Sequence, residues 1–422
     1  MKRVIFHVDV NSAFLSWEAV YRLKHLGGTV DLRELVSAVG GDMQMRHGII
    51  LAKSIPARRY GIRTGETIPE ARRKCPELLL VPPNYGLYET CSSALMELLR
   101  TYSPCVEQYS IDEAFMDMTE SVGLFGGAIQ AATQLKDQIR EVLGFTVNVG
   151  ISENKLLAKM ASDFQKPDRV HTLWKQEMRT KMWPLPVSDL FFVGRATTRK
   201  LLNLGIQTIG DLAKADPLLL RQHLKKQGEV VWGFANGMDE SEVQSVPIRQ
   251  KGYGNSTTIA FDVTDPSTAK LVLLGLAETV GTRLREANSQ AEVIAVGIKY
   301  DDLSYAGHQT RINEPTSITN EIHQYSCQLF DQLWDGRPIR HLGIHTSRLR
   351  DHVDMRQMNM FDHTDYEKWE RLDRTIDQIR KRYGIDAVKR ASFLVRDLRI
   401  DHMSGGISRE KRTVDYKKIR VK

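Results

Sequence analysis

The sequence predicts a multidomain α+β protein, and three observations predict it. At 422 residues, with 41% hydrophobic and 26% charged side chains, the chain is too long for one hydrophobic core and has the composition of a globular protein. Its first 165 residues run strand, helix, strand pair, helix, strand. That is the order of a split βαβ, ferredoxin-like sheet with an insertion after the first helix. Beyond residue 166 the pattern changes to short helices with Gly turns, and from 245 to strands around long helices.

The elements follow in chain order. "RVIFHVDV" (3–10) is an apolar, β-branched run and reads as a buried strand. "SAFLSWEAVYRL" (12–23) carries Phe14, Trp17, Val20 and Tyr21 at helical spacing. The insertion contains "GIILAKSIPARRYGIRTG", a basic, turn-rich module. "NYGLYETCSSALMELLRTY" (84–102) is an amphipathic helix with Asn84 as its cap. Residues 107–118 read as two short strands or a hairpin, 125–143 as helix, "FTVNVGIS" (145–152) as strand and "NKLLAKMASDF" (154–164) as helix.

"FFVGRATTRKLLNLGIQTIGDLAKAD" (191–216) resembles a helix-hairpin-helix, whose main-chain N–H groups hold a DNA phosphate, although Phe191–Phe192 stand where such motifs have Pro-Gly. Three strands, "KGYGNSTTIAFDV", "AEVIAVGIKYDD" and "GHQTRINEPTSI", are expected around a helix at 266–287, with another helix near 319–334. A polar tail follows 350, with one helix-like stretch at 365–383. Its last 18 residues carry a net charge of +5 and are expected to be disordered.

The formal charge of +7 is uneven: −1 over residues 1–165, +6 over 166–235, −3 over 236–350 and +5 over 351–422. Two basic regions around a slightly acidic one suit a phosphate-bearing partner. No uncharged apolar run reaches the ~18 residues that span a bilayer. The N-terminal apolar stretch is broken by His7 and Asp9 and lacks the core of a signal peptide, so a cytoplasmic location is expected. Cys75, Cys91, Cys105 and Cys327 are scattered without CxxC spacing, which indicates neither a zinc site nor a disulfide framework.

"YSIDEAFMD" (109–117) places Asp112 and Glu113 side by side, with Asp117 close behind. Neighbours on a strand face opposite ways, so one of the pair should lie near the core at a heavy desolvation cost. Alone, the pair reads as solvated acids at a strand edge. A third acid, Asp9, at the end of an adjacent strand turns the reading toward metal, because divalent cations offset the repulsion. Mg²⁺ favours such hard oxygen ligands, and a twisted or bulged strand end lets adjacent carboxylates reach one ion pair.

"VIFHVDVNSAF", "IPARRYGIR", "YSIDEAFMD" and "VGISENKLLAKMASDFQKP" stand in the order and spacing of Y-family translesion DNA polymerases, a likeness covering residues 1–361. The middle of the chain resembles the DNA polymerase IV (DinB-like) branch, while "DVN" and "QMNMFD" are closer to UmuC-like relatives. The resemblance implies a right hand with its palm at 1–10 and 79–165 and its fingers at 11–78. A thumb with the helix-hairpin-helix would span 166–235, a little finger 245–350, and a C-terminal tail 351–422.

It further implies low-fidelity, non-proofreading addition of dNTPs to a primer 3′-OH by a monomer bound to primer–template DNA. Asp9, Asp112 and Glu113 match the acids that bind two Mg²⁺ ions, with the Val10 carbonyl beside them. Phe14 matches the steric gate against ribose, and Arg58 and Lys166 match the residues that grip the triphosphate. Lys155 and Lys159 are expected to be solvated or to face DNA. Ile55 replaces a triphosphate-bonding Tyr, Ala52 replaces a common hydroxyl residue, and small Ala13 sits beside the gate. Gln357, Met358, Met360 and Phe361 resemble the bacterial sliding-clamp peptide.

Two rival readings fit parts of the sequence. "VGGDMQM" (39–45) is similar to part of the Gly-Gly-Asp turn of nucleotide cyclases, although a plain turn explains it. A catalytically silent DNA- and clamp-binding protein is the other.

Overall fold

The computed structural model describes residues 3–41, 48–246, 249–352 and 365–394. Strand β1 (Ile5–Val10) is buried along its whole length, as a central strand covered on both faces must be. Ser12, in a left-handed turn (φ 48°), leads into helix α1 (Ala13–His25). The insertion then builds β2 (Ser37–Gly40), β3 (Ile50–Lys53), α2 (Ile55–Arg59), α3 (Ile68–Lys74) and β4 (Leu79–Val81). Its strands form a separate three-stranded sheet in the order β3–β2–β4. By pairing, residues 79–81 therefore go with this small sheet, whereas the sequence boundary before Leu79 put them in the larger one.

The larger sheet continues after α4 (Tyr85–Arg100), which Asn84 caps by accepting the Leu87 N–H at 3.2 Å. A hairpin of β5 (Val106–Gln108) and β6 (Glu113–Asp117) precedes α5 (Ala128–Leu143), β7 (Val147–Ser152), α6 (Lys155–Ser162) and β8 (Val170–Thr172). The strand order is β5–β6–β1–β7–β8, with β1 antiparallel to both of its neighbours. One face buries Phe6, Val8, Met116 and Val149 against Leu95 and Leu99 of α4 and Leu135 and Ile139 of α5. The other face receives α6, which comes close because residue 150 is glycine: a Cβ there would lie 1.9 Å from the Ala158 carbonyl oxygen.

A helical unit follows: α7 (Met178–Lys181), α8 (Arg195–Asn203), α9 (Ile209–Lys214), α10 (Pro217–Leu224) and α11 (Lys226–Ala235). α8 and α9 form the expected helical hairpin, with Gly205 at φ 78° in its turn and a Thr208–Asp211 capping box opening α9. Where Pro-Gly was the comparison, Phe192 itself takes the left-handed conformation (φ 70°).

The last unit is built from β9 (Gly254–Val263), α12 (Pro266–Glu286), β10 (Ser289–Tyr300), β11 (Tyr305–Thr316), α13 (Thr319–Leu333) and β12 (Ile339–Asp351). Its antiparallel sheet runs β11–β10–β12–β9. The sequence pattern predicts no strand at 339–351. β12 is nevertheless central, pairing with both β10 and β9.

The helix expected at 365–383 is α14 (Tyr366–Tyr383), and ion pairs hold it against α12 of this unit. Arg285 of α12 pairs with Asp377 at 2.6 Å and Asp373 at 3.1 Å, and Glu278 takes Arg380 and Arg390 at 3.2 and 2.7 Å. The 357–361 peptide and residues 42–45 of the 39–45 turn lie outside the described residues. Among those described, no helix is long and apolar enough to cross a membrane.

Candidate active site

Asp9 lies directly opposite Glu113 on β6. Side chains opposed in this way share a face of the sheet, with Cβ atoms about 4.5–5.5 Å apart. Asp112 sits in the bend before β6, and its carbonyl oxygen accepts the Val10 N–H at 3.0 Å. The bend explains how adjacent acids escape strand alternation: Glu113 begins the strand and Asp112 precedes it. Asp9, the Val10 main chain, Asp112 and Glu113 thereby stand on neighbouring main-chain positions. Asp117 is left out, opposite Ile5 and bonded to Thr119.

Each acid has a partner. Asp9 pairs with the Lys166 ammonium, which also reaches Asp163 at 2.8 Å. Glu113 Oε1 accepts from Lys159 Nζ at 2.7 Å, and Asp112 Oδ1 accepts from Ser110 Oγ at 2.8 Å. Lys159 was expected in solvent or against DNA, but its side chain is only 10% exposed. It lies over the rings of Tyr109 and Phe191, 5.4 and 5.3 Å from their centroids. Lys155 likewise pairs with Glu107 at 2.7 Å. Both lysines line the sheet-facing side of α6 and join acids more than 40 positions away in sequence, a relation no local pattern reveals.

The charges act on one another. Burial raises the Asp9 carboxyl, Lys166 opposes it, and nearby Glu113 and Asp163 push further up, leaving a pKa of about 6. Burial pulls the Lys166 ammonium down, but Asp9 and Asp163 outweigh it and hold it above the ordinary lysine value. Buried His7, two residues before Asp9, is kept neutral by desolvation and by Lys159 and Lys166. As they stand, no three acidic, His or Cys side chains converge as a metal-holding group among the described residues. Each acid is turned toward its partner. The donors are all hard oxygens, which suit Mg²⁺.

Phe14, in the first turn of α1, is half-buried and stacks on Tyr88 with centroids 4.4 Å apart and planes 7° apart. Tyr88 is fully buried and donates to Glu18 at 3.2 Å, so the Phe14 ring rests on a fixed aromatic wall. Arg58 lies exposed on α2, and no ion pair joins it to the acids among the described residues. Lys53, at the end of β3, is a neighbouring cation that the sequence reading missed: burial and then the Arg58 charge lower its pKa. Ile55 is 49% exposed at the start of α2, while Ala52 is buried with Leu15 and Val39, and Ala13 is buried too.

Family models match the chain in the same order as its units. The impB/mucB/samB family matches residues 8–163, its helix-hairpin-helix motif 175–206 and its C-terminal domain 250–360. DNA polymerase IV of Clostridium acetobutylicum is 45% identical over 94% of this chain and 100% of its own length. The chain belongs to the Y family of DNA polymerases, on the DNA polymerase IV branch. DNA polymerase IV of Acetivibrio thermocellus is 37% identical over 93% of this chain and 98% of its own, and DNA polymerase IV 1 of Bacillus subtilis is 33% identical over 94% of each. A solved Y-family DNA polymerase chimera of Dbh and Dpo4 has the same fold, with a TM-score of 0.68 at 22% identity over 83% of this chain and all of that one. The protein is a DNA-directed DNA polymerase of the translesion type, built as palm, fingers, thumb and little finger.

Proposed function

We propose that this Y-family polymerase extends a primer at the group formed by Asp9, Asp112 and Glu113, and that these carboxylates with the Val10 carbonyl hold two Mg²⁺ ions. The cross-strand pairing of Asp9 with Glu113, tied to Asp112 through Val10, carries the reading. Bound there, the ions would lower the pKa of the primer 3′-OH and neutralise the developing charge on the phosphates. The primer 3′-OH gives its proton to solvent water, its oxygen forms a bond to the α-phosphorus of the dNTP, the bond from that phosphorus to the bridging oxygen breaks, and pyrophosphate leaves with that oxygen.

The chain's own side chains orient these groups. Lys166, paired with Asp9 and Asp163, offers its ammonium to the triphosphate, and Arg58, with Lys53 beside it, offers directed donors from the fingers. The Phe14 ring, backed by Tyr88, would clash with a ribose 2′-OH and so select dNTPs by repulsion.

In this reading the palm comprises 1–10 and 82–165, the fingers 11–81, the thumb 166–235 and the little finger 245–350, with α14 as its backing. Residues 357–361 would bind the bacterial sliding clamp through Gln357, Met358, Met360 and Phe361, holding a monomeric cytoplasmic enzyme near primer ends.

The test is Mg²⁺-dependent primer extension, with Asp112→Ala–Glu113→Ala as control. The double variant should bind primer–template and incorporate nothing. Extension by that variant would refute the assignment, and product formed from NTP without a primer would point to a cyclase.

A further inference from the structure

We infer that Asn148 is a positioning residue for Lys166: from its place beside Asp9 it fixes the segment that presents this ammonium to the triphosphate. The inference rests on the reading of Lys166 as a triphosphate ligand. Asn148 lies in β7, is fully buried, and stands opposite Asp9 in the strand register. A buried amide in a central strand is tolerated only when its polar atoms are paired.

All of its pairing goes to one stretch of main chain. Its Nδ2 donates to the Ser162 carbonyl at 3.0 Å and the Gln165 carbonyl at 2.7 Å, and its Oδ1 accepts the Arg169 N–H at 3.3 Å. Those partners are the last residue of α6, the residue before Lys166, and the residue that leads into β8. One side chain thus ties both ends and the middle of the segment that carries Lys166. The two carbonyls also fix which way the amide points, because a flipped amide would set its oxygen against both.

From the outside, Asp168 is held by Lys136 at 3.1 Å and Arg140 at 2.7 Å, both on α5. Between the two restraints the Lys166 ammonium comes to rest on Asp9 and Asp163. No hydroxyl could take over the whole role of Asn148, since Ser or Thr has a single donor for two carbonyls.

The test compares Asn148→Leu, which is close in size and leaves the three main-chain groups unpaired, with Asn148→Thr, which keeps one donor. Each is made in the wild-type and Lys166→Met backgrounds of the full-length enzyme. Asn148→Leu should raise the dNTP KM about tenfold and Asn148→Thr less, with kcat changed by less than about threefold. Primer–template affinity should not move. In the Lys166→Met background Asn148→Leu should add nothing to KM, the coupling a merely structural residue lacks.

A raised KM in Lys166→Met with a normal KM in Asn148→Leu overturns the inference alone, as does an equal increment in both backgrounds. An unchanged KM in Lys166→Met overturns the triphosphate reading of that lysine and this inference with it. Should Asn148→Leu not fold, Asn148→Thr carries the same comparisons.

Discussion

Gly150 sets how closely α6 lies on the five-stranded sheet, and Gly150→Ala tests whether that closeness matters. A methyl group there would sit 1.9 Å from the Ala158 carbonyl oxygen and 2.5 Å from the Ser162 nitrogen. Both are main-chain atoms of α6, so no flexible side chain can swing away. Ordinary non-bonded contact is about 3.5 Å, which obliges the helix to retreat by about 1.5 Å. Overpacking of this kind costs roughly 1–3 kcal/mol, too little to unfold a well-packed domain.

The same helix carries Lys159, which holds Glu113, and runs directly into the segment bearing Lys166. Misplacing groups around a reacting centre by ~1 Å costs about 10²-fold in rate. Single-nucleotide insertion kinetics beside thermal unfolding should therefore show a folded enzyme whose kcat/KM has dropped about 10²-fold. A variant that melts like the parent and inserts dNTPs at the parent rate would refute the reasoning.

Four further outcomes are expected. Phe14→Ala should raise ribonucleotide insertion by about an order of magnitude or more relative to dNTP insertion, measured as a ratio of kcat/KM; an unchanged ratio removes Phe14 as the gate. Ile55→Tyr, at an exposed position on α2, should lower the dNTP KM about fivefold by adding one hydrogen bond, ~1 kcal/mol, and an equal KM counts against it. On the proposed metal-holding role of Asp9, a proton should compete with the ion below about pH 6, so half-saturating Mg²⁺ should climb as pH falls and stay flat above; a flat profile from pH 5 to 7 contradicts this. Arg285→Met leaves Asp373 and Asp377 without their cation, where Arg285 and Asp373 are each 7% exposed. Unfolding of the unit that carries α12 and α14, followed by hydrogen exchange, should show a loss of ~3–5 kcal/mol, and wild-type protection there would show that α14 is not held by this pair.

Long, strongly patterned segments were legible in the sequence. β1, α4 with its Asn84 cap, β7 and α12 stand where the apolar pattern put them, and the motifs located Asp9, Asp112 and Glu113 on neighbouring positions. The three-stranded sheet was not, because its strands are three or four residues long, shorter than any periodicity that distinguishes strand from turn. β12 was missed for another reason: His341, His345 and the arginines of "IRHLGIHTSRLRD" break up its apolar run, although Leu342 and Ile344 alternate into the core. The roles of Lys159 and Asn148 depend on partners that only the folded chain brings near. A lysine on a helix and an asparagine in a strand look alike whether they face water or a carboxylate, so residue type carried no signal.

The most direct measurement counts divalent ions, with Mn²⁺ as reporter, in the complex of enzyme, primer–template and a non-hydrolysable dNTP. Two ions per chain are expected in the wild type, with loss of at least one in Asp9→Asn–Glu113→Gln. Equal occupancy in that variant, or full-rate extension in the presence of a chelator, would contradict a metal-holding acid group at the centre of this polymerase.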